Sequence, residues 1–350
     1  MAIRRSDTVI HGKVAVYQCI SRCVRRAYLC GVDHVAKKSF EHRRGWLLKR
    51  IQFLLKIFSV EVLSYALMSN HYHLLVRTTW EKLSDEEVVR RWLMLYPDRN
   101  IVNEDGSESQ NPEVVQQYLR DREYVGKLHE RISSISWFMK SLNEFMAVCS
   151  NREDGCKGRF WEGRFECQRL EDEGSLLLCS AYIDLNPVRA KMADTPEASL
   201  YTSAWTRIQA LQARHELGLL SEPERGRLDP NELAALAEKS RSDEWLCPID
   251  NRVDPKRGFL SLSTQEYLIM LDWTGREVRA DKRGAIPISL EPILTRLKIR
   301  TDKWVDSTKQ YGSDFYRIVG NVSAMIRAAK ANGKSWLRGV GSARMTFASE

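Results

Sequence analysis

The stretch "VEVLSYALMSNHYHLLVRT" (60–78) decides the fold class, because it reads as two strands joined by a turn. Both halves are rich in β-branched and aromatic residues, and the Ser-Asn pair between them is typical of turns. Side chains alternate along a strand, so His71 and His73 are expected on one face and Tyr72 on the other. The chain has only seven histidines. Two of them on one face of one strand therefore mark a candidate site.

The pattern on both sides of this hairpin predicts the rest of the domain. Further strands are predicted at 14–24 and within 158–170, and helices at 40–59, 131–150 and 175–186. Pro187 is expected to end the last helix, because the residue before a proline avoids helical geometry. This order predicts an α+β domain with a mostly antiparallel sheet of four or five strands flanked by helices.

The domain organisation follows from shifts in composition. The α+β domain is expected over 1–210, with residues 81–125 as an insertion that holds a short amphipathic helix and a polar loop. Residues 211–230 are predicted as a polar linker and 231–350 as a mainly helical C-terminal domain. Its helical patterns lie at 263–273, 291–298 and 312–334. This domain is compatible with binding duplex DNA, recruiting a partner or bracing the first domain.

The charge distribution indicates a polyanionic partner. The chain has 350 residues and a net charge of +8. Residues 1–56 hold 13 Lys and Arg against 3 Asp and Glu, a local excess of 10. Such an excess favours nucleic acid first and an acidic membrane surface second. A solvated basic face is the alternative.

The cysteines and the hydropathy pattern predict a reduced, cytoplasmic protein. None of the eight cysteines forms a C-x-x-C pair, which argues against a zinc ribbon or a thioredoxin-type site. The N-terminal residues lack an apolar core of signal-peptide length. No window approaches 18 consecutive apolar residues, so no membrane span is expected. Because the basic charge favours nucleic acid over an acidic membrane surface, no membrane partner is expected either.

The histidine pair is a candidate metal site that needs a third ligand. Two imidazoles on one strand face can bind one metal ion, or they can be structural histidines with local hydrogen bonds. Tyr182 and Asn186 are four residues apart and share a helix face. An amide oxygen can bind a hard cation and a phenol can act as a nucleophile, although Tyr182 could equally be a core tyrosine.

Three segments together resemble one family. They are "VYQCISRCVRRAYLC" (16–30), "SNHYHLLV" (69–76) and "GRFWEGRFECQRLEDEGSLLLCSAYIDLNPVRA" (158–190). In this order they resemble the first strand with its basic turn, the His–hydrophobic–His (HUH) motif and the second signature of the REP-associated tyrosine transposases. These belong to the single-tyrosine HUH transposases, the IS200-like family. The resemblance covers residues 14 to about 207, and its most specific part is "YIDLNPVRA".

The resemblance implies a fold, a reaction and site residues. It implies the HUH endonuclease fold and a metal-dependent single-stranded DNA endonuclease and strand transferase. Tyr182 aligns with the nucleophile that forms a 5′-phosphotyrosine, and His71 and His73 align with metal ligands. Asn186 aligns with the third ligand, where many relatives have glutamine. Mixed nitrogen and oxygen ligands suit Mg²⁺ or Mn²⁺. The expected partner is single-stranded or hairpin DNA.

Arginines and one tryptophan are candidate DNA contacts. The candidates are Arg22, Arg25, Arg26, Arg43, Arg44, Arg159, Trp161, Arg164 and Arg189. Arginine can bind phosphate, and an aromatic ring can stack on an unpaired base. The alternatives are solvated charges for the arginines, a packed core position for the aromatic residues around Trp161, and a helix C-terminal charge for Arg189.

Two other functions and the oligomeric state stay open. A catalytically silent DNA-binding protein derived from such a transposase would be expected to lack a catalytic group, but all four candidates are present. A metal hydrolase built on H-x-H alone would need further His or acidic ligands at motif spacing, which the remaining five histidines do not supply. The sequence fits a monomer or a dimer.

Overall fold

The computed structural model describes most of the chain. The described residues are 8–10, 12–24, 28–33, 37–102, 108–220, 229–277, 318–320, 322–331, 339–340 and 343. The chain divides into two compact units, which are treated separately. The first comprises Met1–Ala15, Ser21–Glu61 and Arg77–Phe165, and the second comprises Val16–Ile20, Val62–Val76 and Glu166–Glu350.

The described strands form one main sheet and two small ones. They are β1 Ala15–Arg22, β2 Val32–Asp33, β3 Lys38–Ser39, β4 Val60–Leu67, β5 His71–Thr78, β6 Asn100–Val102, β7 Glu108–Gln110, β8 Glu166–Leu170 and β9 Ile318–Val319. The main sheet has the strand order β4-β5-β1-β8-β9. β2 pairs with β3, and β6 with β7, as short antiparallel ribbons.

The described helices follow the predicted pattern in the first 200 residues and extend it. They are α1 His42–Leu55, α2 Asp85–Leu93, α3 Pro112–Arg120, α4 Arg122–Ile132, α5 Ile135–Glu153, α6 Glu173–Asp184, α7 Asn186–Arg189, α8 Ser203–Leu219, α9 Pro230–Ser240, α10 Thr264–Glu277 and α11 Val322–Ala331. No helix within these ranges is long and apolar enough to cross a membrane.

The main sheet is mixed, which corrects the predicted mostly antiparallel sheet. β1 and β8 are antiparallel, with Gln18 opposite Gln168. β9 is parallel to β8, with Arg169 opposite Ile318. The added strand comes from the stretch 312–334, which had been predicted as wholly helical. The β-branched pair Ile318–Val319 is extended there, and α11 begins only at Val322, after Gly320.

The insertion holds more structure than its sequence pattern indicated. The predicted amphipathic helix is α2, whose first turn is capped by the Ser84 hydroxyl, which accepts from the amide of Glu87. Cap residues of this kind satisfy amide groups that a helix leaves unpaired. The β6–β7 ribbon and α3 follow, and α4 begins at Arg122. The first half of the predicted polar loop, residues 103–107, lies outside the described residues.

In the first unit, Arg43 holds α1 against the end of α5. Its Nε donates to Glu153 at 2.6 Å and its Nη2 to Asp154 at 2.5 Å, and its side chain is 1% exposed. Arg44 pairs with Glu41. Glu153 and Asp154 neutralise the Arg43 guanidinium and the Tyr28 carbonyl accepts from its Nη1, so its donors are already used and Arg43 is a structural residue. The predicted phosphate contact at Arg43 is wrong.

In the second unit, a buried carboxylate fixes the end of α6. Asp184 accepts from the Tyr267 hydroxyl at 2.6 Å, the Ser203 hydroxyl at 2.5 Å and the Ala204 amide at 2.9 Å. Burial raises the pKa of Asp184, and nearby Arg207 opposes that shift. These bonds join α6 to α8 and α10, so the end of α6 has a fixed position.

The predicted domain boundaries stay a prediction. The proposed linker, 211–230, begins inside α8, which continues to Leu219, and residues 221–228 lie outside the described residues. Apolar side chains of α10, including Met270 and Leu271, belong to the same core cluster as Leu177 and Leu178 of α6.

Candidate active site

The two histidines of the H-x-H motif lie together at the start of β5. Their ring centroids are 4.9 Å apart, and the ring planes are nearly perpendicular. His73 is buried at 2% exposed, and His71 is half-buried. The intervening Tyr72 is fully buried. Both imidazoles lie in the second unit.

Tyr182 lies beside His73, although 109 residues separate them in the sequence. The two ring centroids are 5.6 Å apart and edge to face. Tyr182 is in the last turn of α6, which begins with a capping box between Asp172 and Ser175. Pro187 sits in the first turn of α7, a position that tolerates proline because no helical amide partner is needed there. The chain therefore starts a new helix directly after the tyrosine helix.

The new helix places a cation over the tyrosine. The Cζ atom of Arg189 is 5.2 Å from the centroid of the Tyr182 ring. All three guanidinium nitrogens are buried, and none has a hydrogen-bond partner within the part of the chain that the structure describes. Burial lowers the pKa of Arg189 to about 10, and Tyr182 opposes that shift. Arg189 is therefore still charged at neutral pH.

A buried cation without hydrogen bonds is costly, so this environment suits an anion. Leaving buried donors unpaired costs about 1–3 kcal/mol each, and more for a charged group. Guanidinium groups bind phosphate with strong, charge-assisted hydrogen bonds. Arg189 is thus a candidate for binding a phosphate next to Tyr182.

Hydrogen bonds to the imidazoles determine which ring nitrogens can bind a metal. Nδ1 of His71 lies 2.6 Å from Oδ1 of Asn70. An amide oxygen only accepts, so with Asn70 in this orientation Nδ1 donates its proton and Nε2 is the ring nitrogen that can act as a metal ligand. Nδ1 of His73 lies 3.3 Å from Nε2 of Gln18, and because an amide nitrogen only donates, Nδ1 accepts this bond. Rotation of this buried amide by half a turn would let its oxygen accept from Nδ1 and leave Nε2 of His73 as the ligand atom.

Asn186 is the third predicted metal ligand. Its Nδ2 donates to the carbonyl oxygen of Tyr182 at 2.9 Å, so Oδ1 is the atom that could bind a metal. Across the described ranges, no group of three or more His, Cys, Asp or Glu residues could hold a metal ion. Two imidazoles and one amide oxygen fit a divalent cation that keeps water or substrate oxygens as further ligands.

The other predicted DNA contacts lie in the first unit. Arg22, Arg159 and Arg164 are exposed. Trp161 is only 9% exposed, and its Nε1 donates to the carbonyl oxygen of Asn143 at 2.8 Å. Arg25 and Arg26 lie outside the described residues. The structure therefore brings His71, His73, Tyr182 and Arg189 together in the second unit, with Asn186 bonded to the backbone of Tyr182. The remaining described candidates belong to the first unit.

Sequence reasoning missed three residues that support the site. Gln18 and Asn70 orient His73 and His71, and Asp184 holds the turn that carries Tyr182. Asn70 could have been found, because it directly precedes the H-x-H motif. Gln18 carried a weaker signal, as a polar residue inside an otherwise apolar strand. No sequence signal pointed to Asp184, because its hydrogen-bond partners Ser203 and Tyr267 lie far along the chain.

Comparisons with known proteins yield one structural likeness. No family model matches the chain, and no curated protein matches it. Among solved structures, the chain is similar to a REP-associated tyrosine transposase bound to a REP hairpin. The two are 10% identical with a TM-score of 0.34, over 58% of this chain and 82% of the other. A TM-score of this size does not establish a shared fold.

Proposed function

We propose that this chain is a metal-dependent single-stranded DNA endonuclease and strand transferase of the HUH type, a transposase acting on hairpin-containing DNA. The observation that supports this proposal best is the 5.6 Å separation of the His73 and Tyr182 rings. A predicted metal ligand and a predicted nucleophile from distant parts of the sequence meet in one place. The HUH endonuclease fold and the link to DNA transposition and recombination are part of the same proposal.

Tyr182 carries the covalent step. Its phenolic oxygen attacks the phosphorus of a phosphodiester and forms a tyrosine–phosphorus bond, and the bond from phosphorus to the 3′ oxygen breaks. The phenol proton leaves to solvent, and the departing 3′ oxygen takes up a proton to become a free 3′-OH. Because the 5′-phosphotyrosine keeps the energy of the phosphodiester, another 3′-OH can attack it in reverse. Cleavage followed by such rejoining is strand transfer.

His71, His73 and Asn186 would hold a divalent cation, Mg²⁺ or Mn²⁺, next to Tyr182. When bound, such a cation offsets negative charge on a phosphate oxygen and helps to orient the phosphodiester. Asn70 and Gln18 keep the two imidazoles in position. Arg189 supplies a second positive charge, which favours the phenolate of Tyr182 and binds the phosphate under attack.

The test is the cleavage of labelled single-stranded hairpin DNA by His71→Ala and His73→Ala, measured over a titration of Mn²⁺. Both variants should cleave the DNA more slowly and should need a higher Mn²⁺ concentration for half of their maximal rate, because each loses one imidazole ligand. His129→Ala is the matched control, since His129 pairs with Asp85 in the first unit and should not matter. Unchanged cleavage and metal dependence in both variants would contradict the metal site.

A further inference from the structure

The first unit has a groove that the proposed active-site residues do not use. It has a volume of about 520 Å³ and lies between one face of α5 and the segment 161–165. Its lining includes Trp137, Lys140, Glu144, Trp161, Arg164 and Phe165. We call it the tryptophan groove. Small-molecule sites usually measure roughly 300–1,000 Å³, so the groove is large enough for one nucleotide.

The aromatic residues of the tryptophan groove have different roles. Trp161 and Phe165 are buried, at 9% and 7% exposed. The Trp161 ring is fixed by its hydrogen bond to Asn143 and by edge-to-face packing on Phe160. Trp137 is only half-buried. It is therefore the aromatic ring of the lining that offers surface to a ligand.

The charges around Trp137 favour a ligand with a flat ring and a negative group. Nζ of Lys140 and Cζ of Arg131 each lie 4.6 Å from the Trp137 ring centroid. Lys140 is exposed, so its flexible chain can leave the ring for a phosphate. Arg164 is exposed on the opposite wall. Glu144 is the acidic residue of the lining.

Exposed arginines extend this positive surface beyond the groove. The Glu162 amide donates to the carbonyl oxygen of Arg22 at 2.9 Å, which places the backbone of Arg22 next to the groove segment. Arg159 is exposed two residues before Trp161. A positive surface with an accessible aromatic ring is the combination that binds single-stranded nucleic acid, because unpaired bases stack and arginine or lysine binds the backbone.

We infer that the tryptophan groove binds an unpaired nucleotide of single-stranded DNA, with the base stacked on Trp137 and the flanking phosphates on Lys140 and Arg164. Duplex DNA fits the groove poorly, because its bases are already stacked inside the helix. The choice of DNA rests on the proposed function, but the groove would bind DNA whether or not the chain cuts it.

The test is fluorescence anisotropy of a labelled 12-residue oligothymidylate with the full chain in EDTA, where no metal-dependent cleavage can occur. Trp137→Leu should weaken binding about 5- to 150-fold, the range expected for the loss of one stacked base. Trp137→Phe should keep most of the affinity, because a ring remains. Arg164→Gln should lower the slope of log Kd against log salt by about 0.7, the value for one phosphate contact on a single strand.

Two matched control variants test whether the loss of any exposed tryptophan or arginine weakens DNA binding. Trp80→Leu removes a tryptophan that is 63% exposed in the same unit and does not line the groove. Arg120→Gln removes an exposed arginine at the end of α3. Both should bind as the wild type does. Because Trp137 also packs on Trp92, the circular dichroism melting of every variant must show that it is folded at the assay temperature.

A second readout does not depend on affinity. An oligonucleotide with 5-iodouracil in place of thymine should crosslink on irradiation to a peptide that contains Trp137 or Trp161. Wild-type affinity in Trp137→Leu, or crosslinks only outside residues 136–165, would overturn the groove and leave the proposed function standing. No binding of the oligothymidylate by the wild type would overturn the groove alone, because the proposed function concerns hairpin-containing DNA and has its own cleavage test. A dimer that is lost in Trp137→Leu, without any DNA effect, would assign the groove to a second copy of the chain.

Discussion

At the scale of single residues, Arg189 has the most unusual environment. Its guanidinium is buried over the Tyr182 ring without a hydrogen-bond partner in the described ranges, yet it remains charged at neutral pH because its pKa is about 10. The sequence allowed two interpretations of this residue, a phosphate contact or a charge at the end of a helix. The contact with Tyr182 puts its charge beside the candidate nucleophile, and the phosphate contact stays a prediction.

Arg189→Gln should lower the rate of strand cleavage by about 10²–10³, the usual effect of removing one group that stabilises developing negative charge. The pH at which the cleavage rate rises should also be higher for Arg189→Gln than for the wild type. The reason is that the phenolate of Tyr182 loses a neighbouring positive charge. Single-turnover rates between pH 6 and 10 measure both effects.

Arg189→Lys is the informative control for this residue. It keeps the charge but not the planar, two-pronged donor group, so its loss of rate should be smaller and its pH profile close to that of the wild type. Equal rates and pH profiles for the wild type and Arg189→Gln would show that Arg189 takes no part in cleavage.

The pairing of distant residues marks the limit of what the sequence could predict at this scale. The H-x-H spacing and the four-residue step from Tyr182 to Asn186 indicated which side chains share a face. Neither pattern could bring His73 to Tyr182, since that contact depends on how α6 packs on the sheet. The orienting bond from Gln18 to His73 was equally hidden, because it joins neighbouring strands that are 55 residues apart in sequence.

At the scale of elements, the α6–α7 turn positions the candidate nucleophile. The two helices are separated by Leu185 alone, so Tyr182 and Arg189 lie on consecutive helices. Asp184 fixes this turn through bonds to the first residues of α8 and to Tyr267 of α10. A shift of the turn would move the phenol relative to the histidines.

Tyr267→Phe should lower the free energy of unfolding by about 1–3 kcal/mol, because it leaves the buried Asp184 carboxylate with one hydrogen bond fewer. Denaturant unfolding of wild type, Tyr267→Phe, Asp184→Asn and the double variant measures the coupling between the two side chains. We expect the double variant to be destabilised by less than the sum of the two single variants. Strict additivity would show that the bond does not stabilise the turn.

Short elements were the hardest to predict. The strong patterns of α1, α5 and the β4–β5 hairpin were predicted correctly, because both helices bury regularly spaced apolar residues and both strands are buried along most of their length. β9 has two residues, and its pairing with β8 depends on a partner about 150 positions earlier. Local propensity carries too little information for such a strand, so the stretch was predicted as helix.

At the scale of the whole molecule, charge is the property that the sequence reveals most directly. The net charge of +8 and the local excess of 10 in residues 1–56 favour binding to a polyanion. The structure removes Arg43 from the candidate contacts, because it is neutralised inside the first unit. Arg22, Arg159 and Arg164 remain exposed.

Binding of single-stranded DNA should weaken at least about tenfold between 50 and 200 mM salt, because each phosphate contact releases a counterion. Equilibrium anisotropy in EDTA with the Tyr182→Phe variant measures this without interference from cleavage. An affinity that does not change with salt would contradict the role of the exposed arginines.

The covalent link to DNA is the central claim, and one measurement tests it most directly. Labelled single-stranded hairpin DNA is mixed with the wild type, with Tyr182→Phe or with the control Tyr118→Phe from α3. Each mixture contains either Mn²⁺ or EDTA. The products are then separated on a denaturing gel. We expect a slow band that requires Mn²⁺ and survives denaturation, present in the wild type and in Tyr118→Phe and absent in Tyr182→Phe. The same band in Tyr182→Phe, or no band with any of several hairpins that the wild type binds, would contradict it.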